Sequence, residues 1–405
     1  MQAGRYRSIN LLCGLALFGG LWAAEPEPTD LRSPEFTARA KEGFTDLYDL
    51  DYEAALKKFT QLAEQFPEHP GPPLYQATTV WLHELFLRQD LDLDKFISPG
   101  YFTEKSKREM PEEQRKFFME KIERARSLGE AILAKHPKDP TALYFLGAVE
   151  GVLGSFYITI DHSVKNAFSH GKKAYKYDAE VLEEDPKFYD AYMTVGTYEY
   201  IVGSLPWYIK WIAAIAGFHG SKEQGFKDLT LASQHGEFVA DDSRVLEMVL
   251  FVREKRYQDA LKIAQYLHER FPENFLFNLN RAQIEEKLGQ REEALRIYLQ
   301  VAHMAEEGVP NYQKLKKVPY FLQLGPKLRR AGDFEKAGNL LSKVLNDTAA
   351  TPSDRALAHL ELGKTYDLSD QRGEAEEQYK KVLELPNVDN TRKEASQYLQ
   401  QPFSG

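Results

Sequence analysis

The sequence predicts an all-α protein, a solenoid of helical hairpins with an irregular centre. Three observations carry this reading. Alanines recur at Ala55, Ala125, Ala174, Ala260, Ala294, Ala337 and Ala375, each late in a helix-turn-helix pattern. The segments around them align: DYEAALKKFTQLAEQFPEHP (51–70), RYQDALKIAQYLHERFPENF (256–275), GQREEALRIYLQVAH (289–303) and QRGEAEEQYKKVLELP (371–386). Each reads as a turn, an acidic or amide residue, Ala, an apolar or aromatic residue four later, and often Pro. The prolines, Pro67, Pro272 and Pro386, stand where a second helix must stop. Proline lacks the N–H that a helix interior needs, and it biases the residue before it away from helical geometry. Self-similarity at a fixed period is the signature of a stacked array, in which no unit buries its apolar face alone.

The small residues have a steric purpose, because two helices approach closely only where side chains are short. These residues resemble the tetratricopeptide repeat, a 34-residue helix pair with a small residue at position 8, Ala at 20, an aromatic at 24 and Pro at 32. A repeat begun at Glu35 or Phe36 supplies Gly43, Ala55, Phe59 and Pro67. Later repeats supply Met248, Ala260, Ala264 and Pro272; Ala282, Ala294 and Tyr298; Gly325 and Ala337; Gly363, Ala375 and Tyr379. The resemblance implies a superhelix of about eight pairs with a concave face lined by first helices. Some members grip a partner's terminal carboxylate with Lys and Asn at positions 5 and 9. Here those positions hold Ala40 and Phe44, so that function is not supported.

Taken in order, residues 1–24 read as a secretory signal. Arg5 and Arg7 precede the apolar run INLLCGLALFGGLWAA (9–24), which is short for a membrane span. Cleavage is expected near Ala23 or Ala24, with an uncleaved anchor as the alternative. Cys13 lies inside the apolar run, so lipidation there is not favoured. Residues 25–34 are expected to form a flexible, acidic, Pro-rich lead. An irregular repeat region spans 36–237. It holds an apolar helix in 71–89, a loop or crossover in 90–102, a long helix in 111–137 opened by Pro111, and a small-residue helix in 140–156. The unit between Gly154 and Pro186 exceeds 34 residues. Regular repeats occupy 241–389, and 390–405 supplies a polar capping helix and tail.

The insert GSLPWYIKWIAAIAGFHGSKEQGFKDL (203–229) interrupts the array. Its Leu205, Pro206, Gly217, Phe218, Gly225, Phe226 and Leu229 resemble an insert of the tetratricopeptide repeat protein 39 family. That resemblance implies a link to organelle membranes. Trp207, Tyr208, Trp211 and Phe218 could line a strip that lies on a membrane or a partner, or fold inward as a plug.

Bulk properties narrow the function. The formal charge is −9, and removal of residues 1–24, with Arg5 and Arg7 and no acid, leaves 50 basic against 61 acidic residues, or −11. Nucleic acid is therefore a poor partner. Cys13 is the only cysteine, so a cleaved chain holds no disulfide or thiolate zinc site. There is no phosphate-binding loop, nucleophile elbow or HExxH pair. Asp161, His162 and His170 are the nearest approach to an enzymatic cluster, and polar helix residues explain them as well.

The expected function is a non-enzymatic scaffold, exported to the periplasm or cell envelope, that binds a protein or peptide without a cofactor or metal. On the repeat template Tyr144, Met193, Thr197 and Tyr200 face the concave groove, continued by Gln283, Glu286, Arg329 and Arg330. The alternative is a membrane-associated organiser that contacts lipid or a membrane protein through 205–218. Neither the partner nor the oligomeric state is written in the sequence.

Overall fold

The computed structural model describes residues 31–98, 101, 108–206 and 219–405. Among them are eighteen α-helices and no strand, in eight hairpins and a cap. The hairpins are α1 (Pro34–Tyr48) with α2 (Tyr52–Gln65), then α3 (Gly71–Arg88) with α5 (Glu112–Lys135), the short α4 (Leu93–Ile97) lying between them. Next come α6 (Pro140–Thr159) with α7 (Val164–Glu184), and α8 (Ala191–Gly203) with α9 (Lys222–His235). The regular pairs follow: α10 (Ala240–Arg253) with α11 (Tyr257–Arg270), α12 (Phe275–Lys287) with α13 (Arg291–Glu306), α14 (Lys317–Arg330) with α15 (Phe334–Asn346), and α16 (Pro352–Leu368) with α17 (Arg372–Glu384). Helix α18 (Thr391–Gln400) closes the stack.

Local chemistry sets the helix starts. Asp51, Asp139, Ser221, Asp333 and Thr351 each accept a backbone N–H of the first turn, replacing a bond the helix itself cannot make. Thr351 and Asp354 form a reciprocal capping box. Packing follows the alanine pattern. All seven repeated alanines are at most 1% exposed. Opposite them the position-8 glycines let an aromatic ring in: a Cβ on Gly43 would lie 2.4 Å from the Phe59 ring, and one on Gly363 2.4 Å from the Tyr379 ring.

The irregular half uses the same rule with longer helices. In α6 and α7, of 20 and 21 residues, Gly147 opposes Asp178, where Gly43, Gly325 and Gly363 oppose Phe59, Leu341 and Tyr379. Helices α8 and α9 cross glycine on glycine: a Cβ on Gly196 would lie 2.8 Å from the Gly225 carbonyl oxygen. Gly225 and Leu229 of the insert motif are thus packing residues. The long helix expected over 111–137 is α5, and the connection expected over 90–102 carries the short α4. Helix α6 is the one described helix long and apolar enough to cross a membrane. Its Leu143, Phe145, Val149 and Phe156 are buried among neighbouring helices.

The superhelix closes on itself after one turn. The first repeats meet the fifth to seventh along a seam. Tyr48 donates to Asp242 at 2.5 Å, and the Asn274 side chain donates to the Tyr48 carbonyl at 2.5 Å. Lys314 reaches the Leu50 carbonyl at 2.8 Å, and Lys316 the Leu87 carbonyl at 2.9 Å. Lys287 pairs with Asp94 at 2.6 Å, and Arg32 with Glu237 at 2.7 Å. Rings interlock across it, Phe36 with Phe238 and Tyr48 with Phe271. One buried cluster accordingly runs from Leu31 and Phe36 through Phe145 to Phe275, Val301 and Tyr312.

Candidate partner-binding cleft

Closure changes what the concave face offers. Tyr144 is 6% exposed, packed on Phe145 and Phe188, and its hydroxyl is held far above the usual tyrosine range by burial and then by nearby Asp190. Tyr200 is 1% exposed. It donates to Glu254 at 2.7 Å, and burial, aided by that carboxylate, pushes its pKa up to about 12. Lys222 bonds the same Glu254 oxygen at 2.6 Å and is the main cause of that carboxyl's lowered pKa. Both tyrosines, expected on the groove surface, are core residues. The repeat template places both inward: Tyr144 lies in the cluster that closure completes, and Tyr200 is covered by Phe226, Leu229 and Leu250 of adjoining helices.

The other expected groove residues divide. Met193 packs partly on the small core of Tyr200, Leu229 and Leu250. Thr197 turns its hydroxyl back onto the Met193 carbonyl at 2.6 Å, satisfying its own helix. Arg329 is 8% exposed, pairs with Glu361 at 2.9 Å and lies 4.8 Å from the Phe403 ring centre, so it is a buried tie to α16 and the tail and not a groove charge. Arg330 is exposed at the end of α14. Trp207, Tyr208, Trp211 and Phe218 lie outside the described residues, as do residues 1–30.

Gln283 and Glu286 do share a site. They stand on α12 at a cleft of roughly 390 Å³ where the seam leaves the two turns apart, and Gln283 lines it directly. The end of α3 and the segment to α4 form one wall, with Phe86, Leu91, Asp92 and Lys95. Helix α12 gives Leu276, Leu279 and Gln283, and the opposite wall gives Lys314, Lys316, Tyr320 and Lys327. Glu286 holds the back of this wall. Both its oxygens accept from Lys327 at 2.7 Å and one from Tyr298 at 2.9 Å. The Tyr298 hydroxyl is raised by burial first and then by Glu286. Gln283 donates to Asp92 at 2.8 Å, while its buried carbonyl oxygen accepts nothing. Apolar walls with a few converging polar groups are what a ligand cleft requires. Sequence reasoning missed Lys314, Lys316 and Phe86, because only closure brings residues more than 220 positions apart together.

The third expected cluster does not assemble. Asp161 pairs with Arg115, and His170 bonds Glu150 at 2.6 Å. His162 stands alone at a left-handed φ of 51° with both ring nitrogens buried and unbonded. Among the described residues no three side chains are placed to hold a metal ion.

Residues 251–317, from the end of α10 into α14, match the tetratricopeptide repeat family. The chain carries tetratricopeptide repeats over these residues. Its repeats make an all-α solenoid, an architecture used mainly for protein interaction. No curated protein matches the chain. Among solved structures, yeast Tom70 is 14% identical, with 91% of this chain and 89% of that one covered and a TM-score of 0.33. The Cut9–Hcn1 hetero-tetramer of the APC/C is 12% identical, covers 92% and 57%, and scores 0.43. A human IFIT1 dimer with m7Gppp-AAAA is 14% identical, covers 92% and 86%, and scores 0.36. Scores this low support no inference from those proteins to this one.

Proposed function

We propose that this chain is a non-catalytic scaffold, exported to the cell envelope, that binds a protein or peptide partner through the cleft between its two turns. The observation that carries the reading is the fate of the concave face. Its first turn is filled by the chain's own aromatic residues, and the opening that remains gathers Gln283, the Lys327–Glu286 pair and an apolar wall from four separate segments. Non-catalysis rests on the site's chemistry. Lys95, Lys287 and Lys327 are matched by carboxylates, and among the described residues no nucleophile stands beside a base there. Export rests on the signal-like pattern of residues 1–24.

The test compares the wild-type chain with Leu279→Arg as baits in envelope extract, with mass spectrometry of captured proteins. Leu279 is half-buried on the cleft wall, so the arginine fills the opening without entering the core. The reading expects a defined protein held by the wild type and lost from the variant. Equal capture by both would move binding away from the cleft.

A further inference from the structure

The cleft has a charge pattern that names its occupant more closely, and this step rests on the reading just given. Most lysines around it are already matched by a carboxylate. Lys95 pairs with Asp90, Lys287 with Asp94, and Lys327 with Glu286. Lys314 and Lys316 are different. Each donates to one backbone carbonyl, Leu50 and Leu87 respectively, and neither has a carboxylate within 4 Å among the described residues. An ammonium has three donors, so each keeps donors for a ligand. In a chain of formal charge −9, two such lysines beside one opening are a local positive spot. They are tied to separate repeats, so they ask for two carboxylates and not one.

Two further features sit beside them. The Gln283 side-chain carbonyl is an acceptor without a donor, on a residue that is 9% exposed. A peptide N–H meets that need, and a buried acceptor left unpaired is unfavourable. Phe86, Leu276, Leu279, Leu315 and Tyr320 are half-buried around the opening, whose 390 Å³ suits one large side chain with its flanking backbone.

We infer that the cleft takes an extended segment of a partner protein in which one large apolar side chain is flanked by two acidic side chains. The apolar side chain enters between Phe86 and Leu279, the acids meet Lys314 and Lys316, and a backbone N–H meets Gln283. Acidic side chains, and not a chain terminus, are the source of the negative charge, because two separate ammoniums need partners.

The test is fluorescence anisotropy with the full chain and labelled peptides, blocked at both ends except for one control. The probes are Gly-Ser-Asp-Phe-Asp-Ser-Gly, its Lys-Phe-Lys and Asp-Ala-Asp counterparts, and a Phe-terminated peptide with a free carboxylate. The proposal expects the Asp-Phe-Asp peptide to bind at least about tenfold more tightly than the other three, with affinity falling as salt rises. The double variant Lys314→Gln, Lys316→Gln, which keeps donors for Leu50 and Leu87, should lose about tenfold or more. Its fold is checked by its melting curve, and Lys316→Glu, which reverses one charge at an exposed position, is the second variant and should also lose binding. Equal binding of the Lys-Phe-Lys peptide, a preference for the free carboxylate, or an unchanged affinity of both variants overturns the inference. If Leu279→Arg still abolishes protein capture in that case, the scaffold reading stands and only the partner chemistry is wrong.

Discussion

Replacing Gly363 by alanine should destabilise the last hairpins, although alanine is the better helix former. Gly363 lies inside α16, and a Cβ there would stand 2.4, 2.7 and 2.8 Å from three carbons of the Tyr379 ring. That ring cannot swing aside cheaply. Tyr379 is fully buried, and its hydroxyl donates to Asp367 at 2.8 Å. Asp367 is itself held by Arg372 at 2.9 Å and by the Phe403 N–H at 2.8 Å. Overpacking of this kind costs about 1–3 kcal/mol, and loosening the tyrosine bond adds about 1 kcal/mol. The helix-propensity gain returns about 1 kcal/mol, leaving a net loss of roughly 1–3 kcal/mol. Gly338, inside α15, is the control, because nothing lies within 4 Å of the Cβ position. Gly338→Ala should therefore stabilise by about 0.5–1 kcal/mol. Urea unfolding, with hydrogen exchange of α16 and α17 as the local readout, measures both. Equal stabilisation by the two alanines would refute the claim that position-8 glycines exist to admit the ring.

Other outcomes follow from the buried residues. Tyr144→Ala should cost about 3–5 kcal/mol of stability, as truncation of a buried aromatic does, while Tyr200→Phe should cost about 1 kcal/mol by deleting one hydrogen bond; thermal unfolding checks both. The Asp242 carboxyl, bonded to Tyr48 across the seam and next to Asp241 on its own helix, is pushed up to about 6, chiefly by burial, with Asp241 adding and the Tyr48 bond opposing. A carboxyl raised in the folded state contributes stability that is complete below its unfolded value and is lost as pH rises through about 6. Asp242→Asn lacks that loss, so between pH 4 and 7 it should gain on the wild type by up to about 2–3 kcal/mol; parallel urea midpoints against pH would contradict this.

Much of the fold was legible because the array repeats its reasons. Ala55, Ala260 and Ala375 carry the same contact, so one pattern read several times is self-confirming, and the small–ring pairs Gly43–Phe59 and Gly363–Tyr379 follow from it. The long middle hairpin was harder. Asp178 stands where the pattern wants a ring or an aliphatic side chain, fully buried against Gly147, with its pKa pushed well above the carboxylate range by burial. The site was least legible. Helix periodicity tells which side of a hairpin faces inward, and of the two residues it named on α12, Gln283 lines the cleft and Glu286 stands behind its wall. It does not tell whether the inner side is open. Tyr144 looks like a groove residue on the template and is core in the cluster that Phe238, Phe275 and Tyr312 of the next turn join, whereas Tyr200 is buried by Phe226, Leu229 and Leu250 of the helices beside it. Lys314 and Lys316 carry no local signal at all, since their contacts, Leu50 and Leu87, lie 264 and 229 residues away.

The central claim is that the superhelix closes, filling its groove and leaving the cleft. Zero-length carbodiimide coupling at low protein concentration, followed by peptide mass spectrometry, tests it directly. Lys287 and Asp94 touch at 2.6 Å across the seam, and Lys336 and Asp333 touch at 2.6 Å within one hairpin. The closed structure predicts that both pairs couple within a single chain. Coupling of Lys336 to Asp333 without any Lys287–Asp94 product would show an open superhelix and contradict the account.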